Sequence, residues 1–182
     1  MIANNEKKNP PNIVCYTDEP LKDLRNCMTS DSIIGVDRTF NLGPCFLTCM
    51  VYQNHNLIRK HTKSSPIMLG PMFLHWDACS LPTASFFCKI RSALGFHIPE
   101  EKIVFGSDEE QAMINAIKTA FPKAQHILCT RHLKENAQRN LSAQNVPEKS
   151  RSRVISAIFG STGLIYSYSR VEIHEYYKTN LK

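Results

Sequence analysis

Two aspartates stand where a folded α/β protein could use them to hold a metal ion. Asp37 lies inside an apolar run of β-forming residues, and Asp108 follows the short apolar run 103–105. An acid at the carboxyl end of a strand, directly before a helix, is a common position for metal-binding or catalytic carboxylates. If the two strands are neighbours, about 4.8 Å apart, the carboxylates can converge on one point. Like charges this close repel, so such a pair shares a proton or binds a hard cation such as Mg²⁺.

An interpretation without chemistry is also open for each aspartate. An aspartate often ends a strand or caps a helix, and Gln111 stands three positions after Asp108, as in a capping box. The spacing of the two acids alone leaves both interpretations open.

Cys129 and His132 are a second candidate pair, three positions apart after another apolar run. A thiolate and an imidazole at this spacing could supply half of a zinc site, and packing at the end of a strand is the alternative. Cys79 and His174 are the candidates for further ligands. The seven cysteines include no C-x-x-C pair, which favours reduced thiols over a disulfide framework or a zinc ribbon. His126, inside the apolar run, is interpreted as a core histidine.

The elements that must position these residues follow a regular order. Three β-rich apolar runs come first, and the first two flank turn residues, which predicts a hairpin. Helices and strands then alternate, and residues 13–30 give little signal. The predicted strands are 32–40, 45–52, 66–76, 103–105 and 126–129, and the predicted helices are 82–94, 109–121, 131–141 and 147–159.

This order predicts an α/β fold with a mixed sheet, in which three antiparallel strands are followed by alternating helices and strands, with helices on both sides. The ribonuclease H-like fold has this order. In that fold the first strand is central, and the fourth lies parallel beside it. Gly70-Pro71 in the third run indicates an edge position or a bulge.

Composition narrows the class of protein. The hydrophobic fraction of 42% and the charged fraction of 21% are those of a globular domain. No apolar run approaches the roughly 18 residues that span a bilayer, and no signal peptide is visible, so we expect an intracellular protein without membrane contact. The net charge is +6, and basic residues gather late in the chain, which fits a polyanionic partner or solvated helix faces.

The residues around both aspartates resemble the Mutator-like (MULE) transposase domain. Asp37-Arg38-Thr39-Phe40 resembles the family's D-G-T-F opening, with Arg38 where the family usually has Gly. A longer block resembles the second half of that domain, and the resemblance covers about residues 31–140. The matching positions of this block are Ser107, Asp108, Ala112, Ala116, Ile117, Phe121, Pro122, Ala124, His126, Cys129, His132 and Asn136.

The resemblance implies a ribonuclease H-like core with an Asp-Asp-Glu metal site that cuts and joins DNA. Asp37 would be the first acid and Asp108 the second, holding Mg²⁺ or Mn²⁺. The third acid would follow a helical insertion. Residues 154–177 resemble the start of that insertion, so Glu172 and Glu175 would lie on insertion helices. We therefore expect the third acid to lie beyond Lys182 and the isolated chain to have little nuclease activity.

The predicted organisation is an N-terminal lead over 1–30, partly disordered, the transposase core over 31–140 and a truncated insertion over 141–182. Transposon ends and target DNA are the partners that the resemblance implies, in the nucleus and in a homo-oligomer. Arg38, Arg131 and Lys134 are candidate DNA contacts, and Zn²⁺ is the candidate ion for the cysteine–histidine pair. Two other functions stay open: a DNA- or protein-binding module without catalysis, and an unrelated α/β domain whose acids only cap helices.

Overall fold

Six strands form one mixed sheet in a computed structural model that describes residues 12–30, 32–43, 45–77, 79–95 and 99–167. The strands are β1 (Ile13–Cys15), β2 (Ile33–Leu42), β3 (Cys45–Gln53), β4 (Ile67–His75), β5 (Val104–Ser107) and β6 (Gln125–Leu128). The helices are α1 (Asp18–Met28), α2 (Ser80–Leu94), α3 (Gln111–Ala120), α4 (Thr130–Ala143), α5 (Glu148–Phe159) and α6 (Leu164–Ser167). The chain divides after Leu128 into two compact units, the first with the sheet and α1–α3, the second with α4–α6.

The strand order across the sheet is β1-β4-β3-β2-β5-β6. Neighbours on the β1 side of β2 run antiparallel, whereas β5 runs parallel to β2 and β6 runs parallel to β5. The predicted hairpin is therefore confirmed, and so is the parallel pairing of the first and fourth predicted strands. These two pairings make β2 an interior strand that connects the antiparallel and parallel halves of the sheet.

The third predicted strand, β4, is not at the edge of the sheet. Strand β1 pairs with its outer side from Met72 to Leu74. The register between β3 and β4 shifts between Cys49 and Val51, opposite Pro71. The bulge alternative is thus the one that accommodates the proline, which has no N–H for the ladder.

Helices α1–α3 pack on one face of the sheet and form a single hydrophobic core with it. Side chains alternate along a strand, so Ile34 and Val36 of β2 enter this core, whereas Ile33 on the other face is 53% exposed. Aromatic rings connect the layers, with centroids 5.2 Å apart for Phe73 of β4 and Phe86 of α2 and 5.1 Å apart for Phe105 of β5 and Phe121. The prediction of helices on both sides of the sheet remains a prediction.

Residues 13–30 contain two elements that the sequence analysis did not predict, β1 and α1. Helix α1 buries four residues against the sheet, and their spacing is helical. They are Leu21, Leu24, Cys27 and Met28. The N-terminal part of the described chain therefore contributes to the core.

The second unit is helical, as predicted for 131–141 and 147–159. Helices α4 and α5 pack against each other, and α5 contacts α6. None of the helices in the described ranges is long and apolar enough to cross a lipid bilayer. The predicted domain boundaries stay predictions, and Glu172, His174 and Glu175 lie outside the described residues.

Candidate metal site

Asp37 lies in β2 on the face of the sheet that α1–α3 do not cover. It is exposed and stands opposite Cys49 of β3 in the antiparallel register. Burial, and then the negative charge of Asp37, raise the pKa of the Cys49 thiol above its ordinary value. The carboxylate therefore sits on an accessible part of the sheet, where an incoming cation could reach it.

Asp108 directly follows the last residue of β5. Its Oδ1 accepts a hydrogen bond from the backbone N–H of Glu110 at 3.1 Å. Helix α3 begins at Gln111, and its N-cap position is Glu110, so Asp108 does not cap the helix. The capping-box interpretation was wrong, because the Gln111 amide donates instead to Asn115 Oδ1 at 2.8 Å, inside the helix.

The two aspartates stand at the same number of residues beyond the pairing of β2 with β5. Strands β2 and β5 pair from Ile33 with Val104 to Gly35 with Gly106. Asp37 and Asp108 each stand two residues beyond this glycine pair. Asp37 lies within β2, which continues to Leu42, whereas Asp108 directly follows the end of β5. The space beside the two glycines is filled by neighbouring side chains, with Val51 over Gly35 and Ile33 and Ile127 over Gly106.

Ser107 and His126 form hydrogen bonds next to the turn that contains Asp108. The buried Ser107 hydroxyl donates to the Asp108 carbonyl oxygen at 3.0 Å and lies 2.8 Å from His126 Nε2. Burial, and then the charge of Lys118, lower the pKa of His126, so its imidazole is neutral at pH 7 and Nε2–H donates to Ser107 Oγ. His126 is half-buried and hydrogen-bonded, which agrees with its interpretation as a core histidine.

Arg38 points to the opposite face from Asp37. Its side chain is 2% exposed and forms an ion pair with Glu110 through Nη1. Nη2 donates to Thr83 Oγ1 at 3.4 Å, and the guanidinium lies 5.8 Å from the centroid of the Phe46 ring. Its predicted contact with DNA is not supported by this burial. Sequence reasoning missed Glu110 and Thr83 as its partners, because they are 72 and 45 positions away.

Cys129 and His132 lie at the start of α4 in the second unit. Cys129 is the N-cap residue, and both side chains are half-buried. The described ranges contain no group of three or more His, Cys, Asp or Glu residues that could hold a metal ion. Zinc binding by this pair therefore remains a prediction. Arg131 and Lys134, the other two candidate DNA contacts, are exposed on the same helix.

The structure is a mixed α/β domain in which Asp37 lies within an interior strand and Asp108 directly follows the parallel neighbour of that strand. Residues 83–136 match the model of the MULE transposase domain. This segment runs from α2 into α4 and includes Asp108, Cys129 and His132, whereas Asp37 lies outside it. This match is consistent with a Mutator-like transposase domain, the family that the sequence resembles. No curated protein matches the chain.

Proposed function

We propose that this chain is a transposase-related domain in which Asp37 and Asp108 hold a divalent cation for cleavage and transfer of DNA strands. The observation that carries the proposal is the register of β2 and β5, because each acid stands two residues beyond the paired glycines Gly35 and Gly106. The second acid lies inside the segment that matches the MULE transposase domain. Action on DNA places the protein in the nucleus under this proposal.

The strand order supports a ribonuclease H-like arrangement. Without β1, the strand order is β4-β3-β2-β5-β6, so that β2 is central. Strand β2 forms the antiparallel hairpin with β3 on one side and pairs in parallel with β5 on the other. The first acid lies on the central strand and the second follows its parallel neighbour. This is the arrangement that the resemblance implies for the two acids.

The donor atoms of the site fit Mg²⁺ or Mn²⁺. Carboxylate oxygens are hard ligands, and protein sites for Mg²⁺ often supply one or two carboxylates, with water and substrate oxygens completing the shell. When bound, such an ion activates a water or hydroxyl group and stabilises the leaving oxygen of a phosphodiester. The chain's own contribution would be to present both carboxylates to one ion, and the Glu110 N–H donates a hydrogen bond to one oxygen of Asp108.

The second unit supplies the charge for contact with DNA. Residues 129–167 contain six lysines and arginines and two acidic residues, so this segment supplies much of the chain's net charge of +6. A cavity of about 480 Å³ between α4 and α5 has Lys134 and Arg151 in its lining, together with Glu148. Cations that neutralise phosphates release counterions and so supply affinity for DNA of any sequence.

A second candidate function is DNA binding without catalysis. The observation that favours it is that no cluster of three metal-binding side chains occurs in the described ranges. The two functions differ in a measurable way, because only the first needs the two aspartates to bind a cation.

Binding of Mn²⁺ to the purified chain tests the proposed function. We expect Asp37-dependent and Asp108-dependent binding in a titration followed by the electron paramagnetic resonance of free Mn²⁺. Asp37→Asn and Asp108→Asn should each remove it, because each substitution replaces a charged ligand by a neutral amide. The matched control is Asp18→Asn, an exposed acid on α1. Binding that survives both site substitutions would contradict the proposal.

A DNA-binding titration over a range of salt concentrations separates the two functions. Lys134→Ala should weaken binding to duplexes of any sequence and reduce the slope against salt by about one. Lys22→Ala, an exposed lysine on α1, is the matched control. DNA binding without Asp37-dependent Mn²⁺ binding would favour the non-catalytic module.

A further inference from the structure

The ion pair between Arg38 and Glu110 connects the two segments that carry the proposed metal ligands. Arg38 directly follows Asp37 in β2, and Glu110 stands two residues after Asp108. The backbone N–H of Glu110 donates to Asp108 Oδ1 at 3.1 Å, while its carboxylate pairs with Arg38 Nη1. The ion pair therefore connects Arg38, the sequence neighbour of Asp37, with Glu110, whose backbone N–H binds Asp108. The two paired residues are 72 positions apart in sequence.

The Arg38–Glu110 pair lies beyond the point where backbone hydrogen bonds connect β2 and β5. The pairing of β2 with β5 ends at Gly35 and Gly106, before either aspartate. Arg38 and Glu110 lie three and four residues further along their segments. Beyond the end of the backbone ladder, the spacing of the segments is thus fixed by a side-chain contact.

The surroundings of Arg38 hold its guanidinium in one orientation. The side chain is 2% exposed, Nη2 donates to Thr83 Oγ1 of α2, and the charge lies over the ring of Phe46. Glu110 is 26% exposed, and its position at the N-cap of α3 anchors it to the start of that helix. A planar guanidinium with fixed neighbours on both sides is suited to set a distance, because a carboxylate meets it in few geometries.

We propose that Arg38 and Glu110 are a positioning pair that sets the separation of Asp37 and Asp108 for one shared divalent cation. The inference rests on the proposed function, since it assigns the pair to the same metal site. Arg38 acts through the backbone of β2 and through Glu110, and it does not itself contact the ion. Residues that orient metal ligands in this way typically change metal affinity by about 10- to 100-fold when they are removed.

Mn²⁺ titration of the whole chain tests this role with four variants. Arg38→Met and Glu110→Gln each break the pair, and we expect each to weaken Mn²⁺ binding by about tenfold or more. The double variant Arg38→Met/Glu110→Met removes both charges, which restores stability when a buried pair is replaced by apolar side chains. It should nevertheless bind Mn²⁺ as weakly as the single variants. Arg38→Lys keeps the positive charge but lacks the planar guanidinium. Its Mn²⁺ affinity should lie between that of the other variants and that of the unaltered chain.

The controls separate positioning from folding and from the proposed function. The exposed pair Lys123–Glu101 provides Lys123→Met, which should leave Mn²⁺ affinity unchanged. Thermal unfolding of each variant reports stability independently of the metal. A folded double variant, or a folded Arg38→Lys variant, with the affinity of the unaltered chain would overturn the inference and leave the proposed function intact. Weaker binding in Glu110→Gln alone would also overturn it, because Glu110 would then be a ligand. If the unaltered chain shows no Asp37-dependent binding, the proposed function fails and this inference with it.

Discussion

The two faces of strand β2 show how one short segment serves both the core and the proposed site. On the face covered by α1–α3, Ile34 and Val36 are buried and Arg38 is held in an ion pair. On the other face, Ile33 and Asp37 are exposed. Because side chains alternate along a strand, residues that are neighbours in sequence have opposite roles. Stability should therefore depend on one face, and ligand binding on the other.

Replacement of the two adjacent isoleucines by alanine should give the largest difference between the faces. Ile34 is 0% exposed, and Ile34→Ala should lower the free energy of unfolding by about 2–5 kcal/mol, because it removes core contacts and leaves a cavity. Ile33→Ala, on the 53% exposed neighbour, should change it by about 1 kcal/mol or less. Urea unfolding measures both. Equal losses in the two variants would show that the second face is covered as well.

The adjacent charged residues Asp37 and Arg38 should separate stability from metal binding. Arg38→Ala leaves the Glu110 carboxylate partly buried without its partner, and we expect a loss of up to about 3 kcal/mol. Asp37→Asn should change stability by about 0.5 kcal/mol or less while it removes Mn²⁺ binding. Urea unfolding and the Mn²⁺ titration, carried out on both variants, give the comparison. A large loss of stability in Asp37→Asn would mean that the exposed carboxylate also supports the fold.

A smaller effect should come from His75, which lies on the covered face of β4. Its Nδ1 donates to the Asp77 carbonyl at 2.8 Å, its Nε2 lies 2.9 Å from Thr48 Oγ1, and burial lowers its pKa below 6.5. The unfolded chain then binds a proton more readily than the folded one, so stability should fall as pH drops below about 6.5.

Unfolding free energies measured at pH 7.5 and 5.5 check this prediction. His75→Gln should show a smaller decrease than the unaltered chain, although His126 still contributes because its pKa is lowered as well. His61→Gln, in an exposed loop, is the matched control. If that control reduces the decrease as much as His75→Gln does, the effect does not come from burial.

Strong periodic patterns made most of the sheet predictable. The run from Ser32 to Phe40, the turn after it and the next apolar run were enough for the hairpin, because the residues of each strand alternate between the two faces. Strand β1 and helix α1 were missed. Strand β1 is only three residues long, and the four buried residues of α1 lie among charged ones. A helical-spacing test over residues 21–28 would have found the helix.

The sequence pointed to candidate metal ligands but not to the residues that contact them. Asp37 was selected from its place inside an apolar run, Asp108 from its place after one, and both from the family resemblance. The predicted cap at Asp108 was wrong, because α3 begins at Gln111 and Asp108 instead accepts from the Glu110 N–H. The Ser107–His126 contact was not predicted either, since it depends on the neighbouring positions of β5 and β6.

The sequence by itself determined which residues could bind a cation and which runs would become strands, because residue type and periodicity are local properties. It also carried the order of residues from Ser107 to Asn136, which lies within the segment that matches the model of the MULE transposase domain. Only the tertiary structure decided that β2 and β5 pair in parallel with Gly35 opposite Gly106, because the register of strands distant in sequence depends on the packing of the whole sheet. Each aspartate stands two residues beyond this glycine pair. The tertiary structure also decided the direction of Arg38, since strand alternation turned this cation away from its neighbour Asp37 and toward Glu110, where its buried charge has a partner.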